Sequence, residues 1–300
     1  MSIVWLSSYP KSGNTYLRFL LFSYIYGSFK TSSDVEEKVK DLHFFMSTQV
    51  EPKLLEKEFS NRAITTRIYR RFFESETIKN KRLQRNREII MQELLQKAYA
   101  PDELMFMKTH LAFSENHPLS NKSSKFICII RNPRDVLKSG LRYLLQDNAS
   151  DEQKQKLVEE FIFDYGFSVF KKGGFGTWIE HISSWLNASA HMPGIFVKYE
   201  SLKHDTQQEM ERILNFLDIE IDAEKLEYAI QQSSLDSMRK IEKKEKEIGS
   251  KEQGIFRTYS NSKPFVGSGK SNQSLEEFGE NFENIFSRNF ASLIELFGYS

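Results

Sequence analysis

A lysine, a glycine and several small polar residues follow the first apolar run of the chain, in the segment Tyr9-Pro10-Lys11-Ser12-Gly13-Asn14-Thr15. The apolar residues 16–26 after it predict a helix, and backbone amides at a helix start favour an anion. Gly13 lets the anion approach the backbone, and Lys11 adds a mobile positive charge. The segment predicts a phosphate-binding loop, although it lacks the Gly-Lys-Ser/Thr ending of the Walker pattern. A strand, turn and helix without a ligand is the alternative.

Arg131 and Ser139 have the spacing of two groups that meet on one anion. Arg131 ends an apolar run, and Asn132 is a predicted N-cap followed by a proline at the first helical position. Ser139 lies about two turns along that helix, so the guanidinium and the hydroxyl are expected to converge on one phosphate. Arg134 and Asp135 are interpreted as surface charges, and a plain capped helix is the alternative.

A histidine follows another apolar run, in the segment Met107-Lys108-Thr109-His110. Its unperturbed pKa of about 6.5 suits His110 to act as a general base at neutral pH. Lys108, if it lies near, lowers the pKa of the histidine or stabilises anionic oxygens in a transition state. A structural histidine is the alternative.

Four short apolar runs read as buried parallel strands, at residues 3–7, 104–108, 125–130 and 194–198. Each leads into polar residues and then a helical pattern, which predicts an α/β fold with a central parallel sheet flanked by helices. Ligands of such sheets bind beyond the carboxyl ends of the strands. Three of these ends carry the segments described above.

Helix signals accompany these strands. Two capping boxes predict helices over residues 35–45 and 210–217. The boxes pair Ser33 with Glu36 and Asp205 with Gln208. Apolar residues at helical spacing before Gly298 predict an amphipathic C-terminal helix.

The chain is predicted to form one domain over residues 1–300, because no repeat or low-complexity linker divides it. Residues 47–100 are interpreted as a helical insertion, and residues 240–275 as a mobile lid. The arginines between residues 62 and 87 suggest either an anionic acceptor or a solvated helix face interleaved with glutamates.

Composition limits the compartment and the partners. The chain has 42 Lys plus Arg and 41 Asp plus Glu residues, so its charge favours neither nucleic acid nor an anionic membrane as partner. The single cysteine, Cys128, lies in an apolar run, which predicts a buried thiol in a reducing compartment. The sequence shows no signal peptide and no apolar run near the ~20 residues of a membrane-spanning helix. We therefore predict a cytoplasmic protein without membrane insertion.

Together, the three segments resemble the sulfotransferase family that uses 3′-phosphoadenosine 5′-phosphosulfate (PAPS). YPKSGNTY is similar to its 5′-phosphosulfate loop, KTH to its catalytic segment and RNPRDVLKS to its 3′-phosphate segment. Val197-Lys198-Tyr199-Glu200-Ser201-Leu202 and Ser233-Ser234-Leu235-Asp236-Ser237-Met238 are weaker matches to segments near the adenine. The resemblance implies a P-loop-NTPase-like sulfotransferase fold, PAPS as donor, adenosine 3′,5′-bisphosphate (PAP) as product and no metal.

The resemblance also implies roles for individual residues. His110 would take the acceptor proton, Lys11 would protonate or stabilise the departing phosphate oxygen, and Lys108 would hold sulfuryl oxygens. The donor-binding residues would be Ser12, Gly13, Asn14 and Thr15 on the 5′ side, Arg131 and Ser139 at the 3′-phosphate, Tyr16, Tyr199 and Ser233 near the adenine, and Gly269 and Lys270 in the C-terminal segment.

The C-terminal segment departs from the family pattern. Where the family has Arg-Lys-Gly and then Gly-x-Trp, this chain reads Gly267-Ser268-Gly269, and the arginine, lysine and tryptophan of the motif are replaced. Lys270 or Arg257 is the expected substitute for the missing cations, with a flexible Gly/Ser turn as the alternative.

Other functions stay open from the sequence. An ATP- or GTP-dependent kinase shares the strand, loop and helix, and an inactive nucleotide-binding relative would explain the altered C-terminal segment. The acceptor is expected to be a hydroxyl or amine of a small molecule or a carbohydrate, and a homodimer is compatible with the sequence. Phe175, Trp178 and Trp185 are candidates for an acceptor pocket, with core packing as the simpler role.

Overall fold

The computed structural model describes residues 2–59, 74–98, 100, 103–114, 117–248, 255–256, 264–271 and 273–299. Five parallel strands form one sheet in the order β2-β3-β1-β4-β5. The strands are β1 (Ser2–Ser8), β2 (Val39–Asp41), β3 (Leu104–Thr109), β4 (Ser123–Ile130) and β5 (Gly194–Lys198). The predicted α/β class and all four predicted strands are confirmed.

Helices cover both faces of this sheet. They are α1 (Asn14–Tyr26), α2 (Ser32–Lys38), α3 (Leu42–Phe45), α4 (Glu51–Phe59), α5 (Glu76–Ala98), α6 (Pro133–Leu144), α7 (Asp151–Phe163), α8 (Ser168–Lys172), α9 (Trp178–Ala188), α10 (Tyr199–His204), α11 (Thr206–Phe216), α12 (Ala223–Gln232), α13 (Leu235–Ile248) and α14 (Glu280–Leu296).

The single helix expected over residues 35–45 is wrong. The capping box is formed by Thr31 and Asp34, two residues before the expected one, and α2 ends at Lys38. Strand β2 then pairs with β3, and α3 begins after Asp41. A strand of three residues has too short a pattern to be read locally, and it forms here because an open sheet edge pairs with it.

Strand β1 lies at the switch point of the sheet. The chain passes from β1 to β2 and β3 on one side, and β4 and β5 extend the sheet on the other. Crossover loops diverge at such a point and leave a crevice outside the carboxyl ends of the strands. The loop after β1, the end of β3 and the start of α6 after β4 all reach this crevice.

The two faces of the sheet bury separate clusters of side chains, as expected from the alternation of a strand. Trp5 and Cys128 pack on one face with α9 and α14, and Val4 and Ile129 pack on the other with α1 and α11. Burial raises the pKa of the Cys128 thiol to about 12, which makes it an inert core residue.

The predicted helix caps and the C-terminal helix are present, and one predicted surface charge is buried. Asn132 caps α6 through its side chain, Asp205 caps α11, and the C-terminal helix α14 buries Phe286 and Phe290. The interpretation of Asp135 as a surface charge is wrong, because its buried carboxylate accepts hydrogen bonds from Gln273. The described part of the predicted insertion is helical, and residues 62–71 with their arginines lie outside the described residues.

Candidate active site

A cavity of about 650 Å³ opens at the carboxyl ends of the central strands. Its walls are the loop between β1 and α1, the ends of β2 and β3, one face of α6, the segment around Phe170 and residues 265–269. Of the sequence-predicted site residues, those that line the cavity are Lys11, Gly13, Asn14, Thr15, Tyr16, Lys108, His110, Arg131, Ser139, Tyr199 and Gly269.

The loop before α1 presents backbone amides to this cavity. Gly13 is the N-cap of α1, and no side chain caps that helix. Among the described residues, no hydrogen bond uses the amides of Gly13, Asn14 or Thr15. A helix N-terminus with open amides attracts anions. Gly13 has φ +103°, and a Cβ there would lie 2.3 Å from the Tyr199 ring, so only glycine fits.

Two polar side chains of this loop turn away from the open amides. Asn14 Nδ2 donates to the Leu6 carbonyl at 2.9 Å and to Ser8 Oγ at 3.2 Å, which ties the start of α1 to β1. The Ser12 hydroxyl is buried and has no hydrogen-bond partner among the described residues. It does not line the cavity.

Lys11 lies between aromatic rings and other cations. Its Nζ is 4.2 Å from the ring centroid of Tyr143 and 4.5 Å from that of Phe265, and its backbone has a left-handed φ of 71°. Burial lowers the pKa of Lys11 to about 7, and the charges of Arg142, Arg131 and Lys108 contribute to this shift. An ammonium with this pKa can donate a proton near neutral pH.

A hydrogen bond to the backbone fixes the tautomer of His110. Its Nδ1 lies 2.6 Å from the Ser8 carbonyl oxygen, which can only accept, so Nδ1 carries the proton and Nε2 keeps its lone pair. Burial lowers the pKa of His110 well below its usual value, and the Lys108 charge lowers it further. The imidazole is therefore neutral at pH 7.

Asp41 joins the site as the partner of Lys108. The two residues are register neighbours of β2 and β3, and Lys108 Nζ lies 2.7 Å from Asp41 Oδ2. Burial alone would raise the pKa of Asp41, but the charges of Lys108 and Arg18 hold it well below its usual range. Burial lowers the pKa of Lys108, and the Asp41 carboxylate opposes that change. The sequence pattern did not reveal this pair, because β2 was not predicted.

Arg131 connects the loop before α1 with the C-terminal segment. Its Nη1 donates to the Lys11 carbonyl at 3.1 Å, and its Nη2 donates to the Lys270 carbonyl at 3.0 Å. Its guanidinium stacks 4.4 Å from the centroid of the Tyr199 ring, and its buried Nε has no partner among the described residues. Ser139 faces the same cavity from α6.

Three remaining expectations concern residues away from the wall. Lys270 is exposed and does not line the cavity, although its carbonyl is bound by Arg131. Ser233 is buried at the end of α12, and its hydroxyl has no partner among the described residues. Arg257 lies outside the described residues.

Several apolar side chains line the cavity. They are the exposed Phe44 and Val169 and the more deeply placed Phe170 and Phe175, with the His43 ring packed against Phe175. Trp178 and Trp185 are fully buried in the core and do not line the cavity. Of the three aromatic candidates, only Phe175 faces the cavity.

Arg142, one helical turn after Ser139 on α6, also lines the cavity and was not singled out from the sequence. Its spacing of three residues from Ser139 was the available signal. Within the described residues, no group of three His, Cys, Asp or Glu side chains is placed to hold a metal ion. None of the described helices has the length and apolar character to cross a membrane.

Comparison with known proteins identifies related sequences. The family model of the sulfotransferase domain matches residues 2–297. Human sulfotransferase 2A1 is 29% identical over 175 residues, which cover 58% of this chain and 59% of that protein. The 3-alpha-hydroxysteroid sulfotransferase of Cavia porcellus is 31% identical over 124 residues, or 41% of each chain. The matched region thus spans less than two thirds of these relatives.

Comparison of structures gives the same fold. Retinol dehydratase in complex with androsterone and inactive cofactor PAP has a TM-score of 0.59 and 18% identity, covering 96% of this chain and 80% of that one. Mouse sulfotransferase SULT7A1 complexed with PAP has a TM-score of 0.57 and 18% identity, covering 99% and 88%. At such identity the likeness shows the fold.

Proposed function

Because this chain belongs to the sulfotransferase domain family, we propose that it transfers a sulfuryl group from PAPS to a hydroxyl group of an apolar small molecule. One observation carries the proposal. A base, His110, and two lysines, Lys11 and Lys108, line the same cavity as Arg131 and Ser139. These groups suit a reaction in which negative charge moves between oxygens, since positioned cations stabilise such charge.

The chemistry of the cavity fits a nucleotide with phosphates at both ends. The open amides of Gly13, Asn14 and Thr15 and the Lys11 ammonium suit the 5′-phosphosulfate. The buried, unpartnered Nε of Arg131 is a donor that an anion would satisfy. Tyr16 and Tyr199 offer aromatic faces for the adenine from the same wall.

Each reacting group has a proposed task. PAPS, when bound, supplies the sulfuryl group, activated by its anhydride bond to phosphate. His110 accepts the proton of the acceptor hydroxyl at Nε2, while its Nδ1–H stays on the Ser8 carbonyl. Lys108 holds charge on sulfuryl oxygens, with Asp41 keeping its ammonium in place. Lys11 donates its proton to, or stabilises, the departing phosphate oxygen, as its pKa of about 7 allows.

The aromatic part of the cavity wall supports the class of acceptor. The Phe175 ring centroid lies 5.6 Å from that of His110 and 6.2 Å from that of Phe170, and all three residues line the cavity. Small apolar ligands bind to walls of this type, with few polar groups to orient them. Names of related proteins and structures mention hydroxysteroids, retinol and androsterone. A glycan or amine acceptor has less support from this wall.

Calorimetric titration tests the donor. We expect PAP to bind at least tenfold more tightly than adenosine 5′-monophosphate (AMP), because the 3′-phosphate adds charge-assisted hydrogen bonds. ATP should bind more weakly than PAP. Transfer of labelled sulfate from PAPS to a panel of apolar alcohols, sugars and amines then tests the reaction. ATP binding as tight as that of PAP, with no transfer to any acceptor, would favour a kinase or an inactive relative.

Lys11 should make donor binding depend on pH. Its pKa of about 7 means that the ammonium loses its proton as the pH rises from 6.5 to 8.5. PAP favours the charged form, so we expect its affinity to fall about tenfold over this range. Ionisation of the ligand phosphates, with a pKa near 6, acts in the opposite direction at lower pH. The measurement is PAP affinity by calorimetry at each pH.

Lys11→Arg is the matched control for this pH dependence. Arginine keeps its charge across the range, so the affinity of the variant should be nearly independent of pH. If PAP affinity changed equally with pH in the two proteins, the pH dependence would belong to another group.

A cytoplasmic location and a homodimer stay predictions from the sequence.

A further inference from the structure

The C-terminal segment faces the cavity with Gly267 and Ser268 at the two positions where the family pattern has cations. Gly267, Ser268 and Gly269 line the wall, and the nearest lysine of the segment, Lys270, points to solvent. The segment is nevertheless held firmly. The Glu242 carboxylate accepts hydrogen bonds from the backbone amides of Phe265 and Val266 at 2.6 and 2.9 Å. Arg131 donates a hydrogen bond to the carbonyl of Lys270.

Arg142 fills the space that a side chain at position 267 would occupy. A Cβ on Gly267 would lie 2.4 Å from Arg142 Nη2 and 2.7 Å from its Cζ. The backbone of Gly267 is not in the left-handed region, so its conformation does not require glycine. A side chain at position 267 would instead displace the Arg142 guanidinium. The guanidinium from α6 therefore stands where the segment would otherwise have placed its own side chain.

Arg142 lies near two further arginines, Arg131 and Arg239, of which Arg239 pairs with Asp236 at 3.3 Å. Arg142 Nη2 donates to the Phe265 carbonyl at 3.1 Å, its one hydrogen bond among the described residues. Burial lowers the pKa of Arg142; the Glu242 carboxylate opposes this shift, and the charges of Arg131 and Arg239 add to it. Because Glu242 already accepts two amides and pairs with Lys246 at 2.9 Å, it balances the cations only in part. A cluster of arginines such as this one favours the binding of an anion with more than one charge.

We propose that Arg142 binds the 3′-phosphate of the nucleotide together with Arg131 and Ser139. Arg142 and Ser139 are three residues apart on α6, so they lie on the same face of the helix, and both line the cavity. The cation of the 3′-phosphate site thus comes from a helix, and Gly267 provides its room. This inference rests on the proposed use of PAPS.

The test compares two ligands that differ only in the 3′-phosphate. PAP and AMP are titrated calorimetrically into the wild-type protein and into Arg142→Met. The variant should bind PAP about 10- to 100-fold more weakly, because a charge-assisted hydrogen bond is lost, and bind AMP within twofold of wild type. Arg85→Met is the matched control. It removes the same charge from an exposed position of α5 that does not line the cavity, and both affinities should be unchanged.

Two further variants separate binding from folding. Arg142→Lys keeps the charge but loses the fork of the guanidinium, so the preference for PAP over AMP should fall about fivefold. Arg142→Met combined with Gly267→Arg returns a cation from the segment side and should recover part of the preference. Melting temperatures without ligand show whether each variant is folded.

The outcomes distinguish this inference from the proposed function. A variant Arg142→Met that keeps the full preference for PAP would overturn the role of Arg142 and leave the use of PAPS intact. Equal weakening of PAP and AMP would also overturn it, because that result indicates a general effect on the site. A wild-type protein that binds PAP no better than AMP would overturn both proposals.

Discussion

Replacing His110 with alanine should lower kcat by about 10²- to 10⁴-fold, the range for loss of a positioned general base. PAP affinity should stay within about threefold of wild type, because the imidazole faces the acceptor side near Phe175 and is fixed by the Ser8 carbonyl. Turnover is measured with labelled PAPS and donor binding by calorimetry. His204→Ala is the control, since that histidine is exposed on α10 and lies outside the cavity.

The pH dependence of wild-type kcat is a second test of His110 as the base. Burial and the Lys108 charge lower the pKa of His110 well below its usual value, so its loss of base function occurs only at acidic pH. Between pH 6 and 7, protonation of His110 should not reduce kcat.

If the His110→Ala variant kept more than a third of wild-type kcat, His110 would be excluded as the base.

Asp41→Asn should reduce the free energy of unfolding by about 3–5 kcal/mol at pH 7. The change leaves Lys108, with 12% exposure, without its hydrogen-bonded carboxylate, and breaking a buried ion pair on one side has this cost. Asparagine is also a good N-cap, so α3 keeps its start. The pKa of Asp41 is lowered in the folded protein, so the pair stabilises above about pH 4, and this stabilisation is lost at lower pH.

Urea unfolding of four proteins measures this effect: wild type, Asp41→Asn, Lys108→Met and the double variant. The double variant should be less destabilised than the sum of the two single changes, because no unpaired charge stays buried. Glu76→Gln is the control, since its ion pair with Lys79 is exposed and should contribute little. A loss below about 1 kcal/mol for Asp41→Asn would show that water replaces the carboxylate.

Strong local patterns explain which strands and helix starts could be predicted from the sequence. The four predicted strands are short apolar runs; β1, β3 and β4 bury residues on both faces of the sheet, and the edge strand β5 is mostly half-buried. Asn132 marked the start of α6 because an N-cap acts on amides within its own turn. The expected helix over residues 35–45 failed because the short strand β2 depends on its neighbour β3 rather than on its own residues.

Local sequence patterns predicted four strands of the parallel sheet, the glycine-containing loop before α1 and the order in which Lys11, His110 and Arg131 follow the strands. Each depends on residues close together in the chain. The partner of Lys108 and the cation next to Gly267 depend on how distant elements pack together. Asp41 meets Lys108 through strand register, and Arg142 reaches the segment around Gly267 across the cavity. Such contacts follow from which elements become neighbours, which no local pattern records.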